Sequence, residues 1–262
     1  MNRSSLVVVG VGIKFVSHLS TEAKAYISQA DNVLYLLNDP LMKYWIEQLN
    51  PNSESLDHLY AKHELRYDSY EAITRYILKV LYQHKHVCVV MYGHPAVFAQ
   101  PALDAVREAK KNGYFAKILP AISAEDCLFA DLLIDPGSCG CQSFEATDFL
   151  IHDRQFDPKC HLILWQVGVI GALGHVKDQS NKAGINILTN YLRQFYLSQH
   201  MITVYEASQY PSFESRIEEV MLDQLPDVNL SRITTLYIPP SNKAVCNEAM
   251  LKALEMNMDD LR

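Results

Sequence analysis

Two phenols and a guanidinium stand near one another early in the chain: Tyr60, then Arg66 after five intervening residues, then Tyr70 after three more. A positive charge beside a phenol favours the phenolate and lowers a pKa that starts near ~10. A bend gathering the three would therefore make a base for a weakly acidic proton. The chain has 15 tyrosines, with Tyr67 and Tyr76 close by, so spacing alone does not single these out. Other motifs are weaker. Gly10-x-Gly12 follows an apolar run, but Phe15 stands where a dinucleotide fingerprint needs its third glycine, and Asn38-Asp39 comes too early for the ribose-binding acid. Its plainer reading is a tight turn. Cys139-Gly140-Cys141 lacks a second ligand pair, and His84-Lys85-His86 lacks a carboxylate or thiol partner, so no metal site is expected.

The elements that must position these residues alternate strand and helix. Leu6–Val9 and Val33–Leu37 read as buried strands, with a helix from Ser20 to about Ala30 between them and another over Leu41–Leu49. Asp68 and Glu71 resemble a capping box opening a helix through Tyr82. Strand Val87–Met91 delivers the loop Tyr92-Gly93-His94-Pro95; a helix from Pro101 to Lys111 and a strand Phe115–Leu119 follow. After Pro120 the pattern changes. Ser123 caps a helix through Leu133, then longer strands are expected near Ser143–Ile151, His161–Val169, Met201–Ala207 and Ile233–Ile238, with one long helix around Asn186–Tyr196. This predicts an α/β fold of two domains with a cofactor cleft between them: 1–120 an N-terminal α/β domain, 121–240 a mixed α/β domain, and 241–262 a short tail.

Composition narrows the partners. With 262 residues and 49% hydrophobic content the chain can bury a large core, and a net charge of −7 repels phosphate backbones, so no nucleic acid is expected. No apolar run reaches the ~18–20 residues that span a bilayer, and the N-terminus lacks a secretory pattern. The expectation is a cytoplasmic protein with no membrane association and six reduced cysteines.

Five segments, in order and spacing, resemble the tetrapyrrole-methylase superfamily: Val7–Gly12, Tyr92–Phe98, Pro120–Ala124, Leu164–Gln166 and Thr234–Pro240. Within it the chain is most similar to the borosin peptide N-methyltransferases. Tyr92-Gly93-His94-Pro95 replaces the Gly-Asp-Pro of the macrocycle enzymes, the last strand ends in Ile238-Pro239-Pro240, and Gly12-Ile13-Lys14 lacks the macrocycle enzymes' Pro-Gly-Asp. The resemblance implies S-adenosylmethionine as cofactor, with S-adenosylhomocysteine as product. It places Tyr92, His94, Val97, Phe98, Ser123, Ala124, Gln166, Ala207, Thr235 and Leu236 around the methyl donor. Tyr60, Arg66 and Tyr70 match the catalytic constellation: Tyr70 as the base for a backbone amide proton, Arg66 supporting it, and Tyr60 orienting the peptide or bonding its carbonyl oxygen.

The resemblance further implies a homodimer binding two precursor peptides as a heterotetramer. Residues 241–262 carry Lys243, Glu248, Lys252, Glu255, Asp259 and Asp260. That is unlike an apolar segment destined for methylation, so the expected substrate is a separate precursor, methylated in trans. Two other readings remain open: a tetrapyrrole or precorrin C-methyltransferase, and a non-catalytic peptide-binding protein of the same fold.

Overall fold

The computed structural model describes residues 4–61, 65–172, 174 and 181–261. By chain order it contains β1 (Ser5–Gly10), α1 (Thr21–Gln29), β2 (Asn32–Leu36), α2 (Pro40–Leu49), β3 (Ser53–Ser55), α3 (Asp57–Ala61), α4 (Arg66–Leu81), β4 (His86–Met91), α5 (Gln100–Lys111), β5 (Phe115–Ile118) and α6 (Ala124–Asp131). These are followed by α7 (Pro136–Cys139), β6 (Cys141–Glu145), α8 (Ala146–Ile151), β7 (His161–Trp165), α9 (Lys182–Leu192), β8 (Met201–Glu206), β9 (Arg216–Met221), β10 (Thr235–Ile238) and α10 (Glu248–Ala253).

The first sheet is parallel throughout, in the order β3-β2-β4-β1-β5. Its interior strand β1 has no polar face. Leu6 and Val8 pack on one side with Ile73 and Ile77 of α4 and Ala102 and Val106 of α5. Val7 and Val9 pack on the other with Ile27 of α1 and Ile46 of α2. Side chains alternate across a strand, so a continuous apolar run must be covered on both faces, which is what crossover helices of a parallel sheet provide. The helix starts follow from capping: the Ser20 hydroxyl accepts from the Ala23 amide at 3.1 Å, and the Asp39 carboxylate accepts from the Leu41 and Met42 amides at 2.7 and 3.0 Å. The Ser123–Asp126 pair forms a complete capping box at α6.

The second sheet is mixed, in the order β6-β7-β10-β8-β9; β6 and β7 are parallel, and β10 is antiparallel to both β7 and β8. Phe149, Leu164, Ile185, Leu188, Val204 and Leu236 form its core.

The α/β class and two-sheet fold are as expected, but several boundaries move. The segment near 143–151 divides, because Glu145 turns its carboxylate onto the Asp148 amide at 2.8 Å and caps helix α8 where a strand was expected. The strand from His161 ends at Trp165: Gln166 is left-handed, at φ 58 and ψ 32, and Val167–Val169 is a 3-10 turn. Helix α4 begins at Arg66, its cap residue Leu65 makes no side-chain hydrogen bond, and the expected Asp68–Glu71 box is replaced by this earlier start. Strands β3 and β9 were not anticipated; one is three residues long and the other is a charged Arg-Ile-Glu-Glu-Val-Met run. The chain divides after Ile134, later than Pro120, into two compact units. One combines Met1–Ile134 with Ala172–Asp178 and Glu206–Arg216; the other holds Asp135–Gly171, Gln179–Tyr205 and Ile217–Arg262. Among the described residues no helix is long and apolar enough to cross a membrane.

Candidate functional site

In the first unit the candidate residues gather where β1 and β4 end. Gly12 and Gly93 form an isolated antiparallel bridge, donating amides to one another's carbonyls at 3.3 and 3.1 Å. Both have positive φ, 70 and 69°. Gly10 has no room for any side chain, since a Cβ would lie 2.2 Å from the Gly93 carbonyl oxygen and 2.7 Å from both Pro95 Cδ and Ala121 Cβ. That close approach draws the Tyr92-Gly93-His94-Pro95 loop and the lead into α6 onto one strand end.

Within the loop, His94 Nδ1 accepts from the Ala96 amide at 3.1 Å. Val97 and Phe98 are exposed, and Phe98 holds φ 51°, a left-handed conformation that costs energy for an aromatic residue. The Tyr92 phenol oxygen is hydrogen-bonded by the Gln209 side chain, and burial pushes the phenol up to about 12. Gln209 also accepts the Phe15 amide at 2.7 Å, and Tyr210 donates to the Asp39 carboxylate, so the segment carrying Ala207 is tied to the same strand ends. Ser123 is buried as the α6 cap, and Ala124 is the first residue of that helix.

In the second unit, Gln166 and Thr235 stand at neighbouring strand ends, linked by the Val167 amide donating to the Thr234 carbonyl at 3.3 Å. Thr235 and Leu236 are both buried. Leu236 points into the apolar core, so any ligand contact it made would be through backbone. Gln166 and Phe98 are two of the non-glycine residues at positive φ, and both lie at positions marked beforehand for the methyl donor.

The phenols at Tyr60 and Tyr70 do come together, with ring centroids 6.0 Å apart, edge to face at 64°, and their hydroxyls hydrogen-bonded. Tyr60 sits on the last turn of α3 and Tyr70 on the second turn of α4, not the first as the later helix start implied. Buried Ser69 joins the two helices, its hydroxyl within 3.3 Å of the Leu65 carbonyl and 3.4 Å of the Tyr60 carbonyl. Arg66 opens α4, and its Nε donates to the Gly174 carbonyl at 3.3 Å, beside a bridge between Leu65 and Gly174.

The electrostatics differ from the simple expectation for Tyr60. Burial and the bond to Tyr70 push its phenol up, and the Arg66 charge opposes them without prevailing. Tyr60 therefore keeps its proton. Gln209, Ser69 and Gly174 were not picked out beforehand; a glutamine, a serine and a glycine far apart in sequence carry no spacing signal that would have joined them to this site.

With the geometry in hand, similarity places the chain. The family Tetrapyrrole (Corrin/Porphyrin) Methylases matches residues 5–161, more than half of the sequence, and the chain belongs to that family. A curated relative, the methyltransferase/ribosomally synthesized cyclic peptide dendrothelin A precursor of Dendrothele bispora, is 35% identical over 255 residues. The match takes in 96% of this chain and 61% of that protein, so the chain spans about three-fifths of its relative's length. Among solved structures, the uroporphyrin-III-C-methyltransferase of Thermus thermophilus superposes with a TM-score of 0.65 at 15% identity, covering 100% of both chains. A Thermus thermophilus uroporphyrin-III C-methyltransferase complexed with S-adenyl homocysteine gives 0.60 at 16%, covering 90% of this chain and 92% of that one.

Proposed function

We propose that this chain transfers methyl groups from S-adenosylmethionine to backbone amide nitrogens of a ribosomally made precursor peptide. The observation that carries the reading is the hydrogen-bonded Tyr60–Tyr70 pair beside Arg66. It is supported by the 35% identity to a relative whose name joins methyltransferase to peptide precursor.

An amide nitrogen is a poor nucleophile because its lone pair is delocalised into the carbonyl. Methylation requires removing the N–H proton and stabilising charge that moves to oxygen. Tyr60, held protonated, serves as a donor to the developing imidate-like oxygen. To take the amide proton Tyr70 first gives up its own phenol proton to solvent. The phenolate is paired with the Arg66 guanidinium, and as it accepts the N–H proton its negative charge passes to the imidate-like amide. The exposed apolar side chains of Val97 and Phe98, on the same first-unit loop as His94, fit a nucleoside with a charged amino-acid arm. When bound there, S-adenosylmethionine supplies an electrophilic methyl and leaves as S-adenosylhomocysteine.

We propose further that the precursor is supplied on a separate chain. The working assembly is a homodimer with two precursors, as the resemblance implies. Intact-mass analysis after incubation with donor, alone and with a candidate apolar peptide, decides the first point. Methyl groups on the enzyme's own residues would overturn the trans reading. Light scattering at a single chain's mass would overturn the dimer. The core reading is tested by Arg66→Ala and Tyr70→Phe, each expected to cut methylation by on the order of 10²–10⁴ with the fold intact. Near-normal methylation by both would sink it.

A further inference from the structure

The Cys139-Gly140-Cys141 motif has no part in the reading above, yet the second unit gives it a third thiol. The His161 amide donates to the Gly140 carbonyl at 3.0 Å, and Cys141 stands in register with His161 across the β6–β7 ladder. Cys160 is therefore set against Gly140. A Cβ on that glycine would be 3.4 Å from Cys160 Sγ, and both chain neighbours of Gly140 are cysteines. Adjacent strands stand about 4.8 Å apart, so Cys139, one residue along from Gly140, lies roughly within the Cα separation a disulfide spans.

The two flanking cysteines differ in exposure. Cys141 is half-buried and lies in register with His161 in the ladder, whereas Cys139 ends α7, is exposed, and is the cysteine that electrostatically touches Cys160. Gly140 stands between them at φ 76° and ψ 159°, a conformation that favours glycine.

We infer that Cys139 and Cys160 are a thiol pair that closes to a disulfide under a disulfide oxidant such as oxidised glutathione. The exposed Cys139 thiolate attacks one glutathione sulfur, forming a protein–glutathione mixed disulfide and releasing one reduced glutathione. The Cys160 thiol, held up by burial and by Asp157, then loses its proton to solvent and attacks the Cys139 sulfur. The second glutathione leaves, so two thiols are oxidised and one glutathione disulfide is reduced to two thiols. The bond ties the end of α7 to the residue before β7 and encloses β6 and α8.

The full chain is incubated with oxidised glutathione, digested without reduction and mapped by mass spectrometry. A Cys139–Cys160 cross-linked peptide is expected, absent in Cys139→Ser, present in Cys141→Ser, and removed by dithiothreitol. Cys160→Ser is expected to stop at a stable glutathione adduct on Cys139. A bond from Cys160 to Cys141, a bond between two chains, or separate unresolved adducts on the wild type would each overturn the assignment. The outcome is independent of methyl transfer.

Discussion

At the scale of single residues, the Tyr60–Tyr70–Arg66 group sets opposing influences against one another. Burial and a neighbouring phenol hold Tyr60 protonated, while Arg66 favours charge. Removing that cation is expected to move the alkaline-going limb of the pH–rate profile to higher pH in Arg66→Ala, with Arg66→Lys in between. Superimposable profiles would show that Arg66 has no electrostatic part. Two histidines make a separate prediction. Burial lowers the pKa of His18, whose Nδ1 accepts the Ile13 and Lys14 amides at 3.2 Å each, and of His161, bonded to the Tyr237 hydroxyl at 2.8 Å. Both stay neutral in the folded protein where the unfolded chain already binds protons. Stability is therefore fully present above the unfolded value near 6.5 and is lost as pH falls through it toward the folded values. Urea midpoints should drop between about pH 7.5 and about pH 5.5, and His18→Asn should flatten the slope.

At the scale of elements, much was legible because local chemistry and burial agree. Ser20, Ser123 and the apolar runs at Leu6–Val9 and Val87–Met91 each announce what they form. The misread segments are those where one side chain redirects the backbone. Glu145 caps a helix inside an apparently strand-like run, and Gln166 turns left-handed where apolar residues continue on both sides. The candidate site was proposed in its residue types through resemblance; the ties around it, such as Tyr92 to Gln209 across the chain and Ser69 to Tyr60 across the α3–α4 junction, depend on topology. Gly10 tests the convergence of the strand ends directly. A methyl group there meets backbone oxygen at 2.2 Å, so Gly10→Ala is expected to cost about 3 kcal/mol in urea unfolding and to weaken donor binding. Unchanged stability would show that the strand ends can separate without cost.

At the scale of the whole molecule, ligand linkage offers a test that needs no peptide. If S-adenosylmethionine binds only the folded chain, donor at about 100 times its Kd should add about 2.7 kcal/mol of stability. That appears as a rise in Tm, absent with adenosine at equal concentration.

The first unit is not finished by its own stretch of sequence. Its parallel sheet is complete by Ile118, but Gln209 and Tyr210, which tie down the Tyr92 loop and the Asp39 cap, arrive only with Glu206–Arg216. A ribosome making this chain therefore releases a nearly whole sheet long before the residues that close its functional end. During that interval the nascent chain carries the Tyr92 loop without its last contacts. Messages stalled shortly before codon 206 should yield nascent chains whose Tyr92 loop is cut readily by protease, and those stalled well after codon 216 should not.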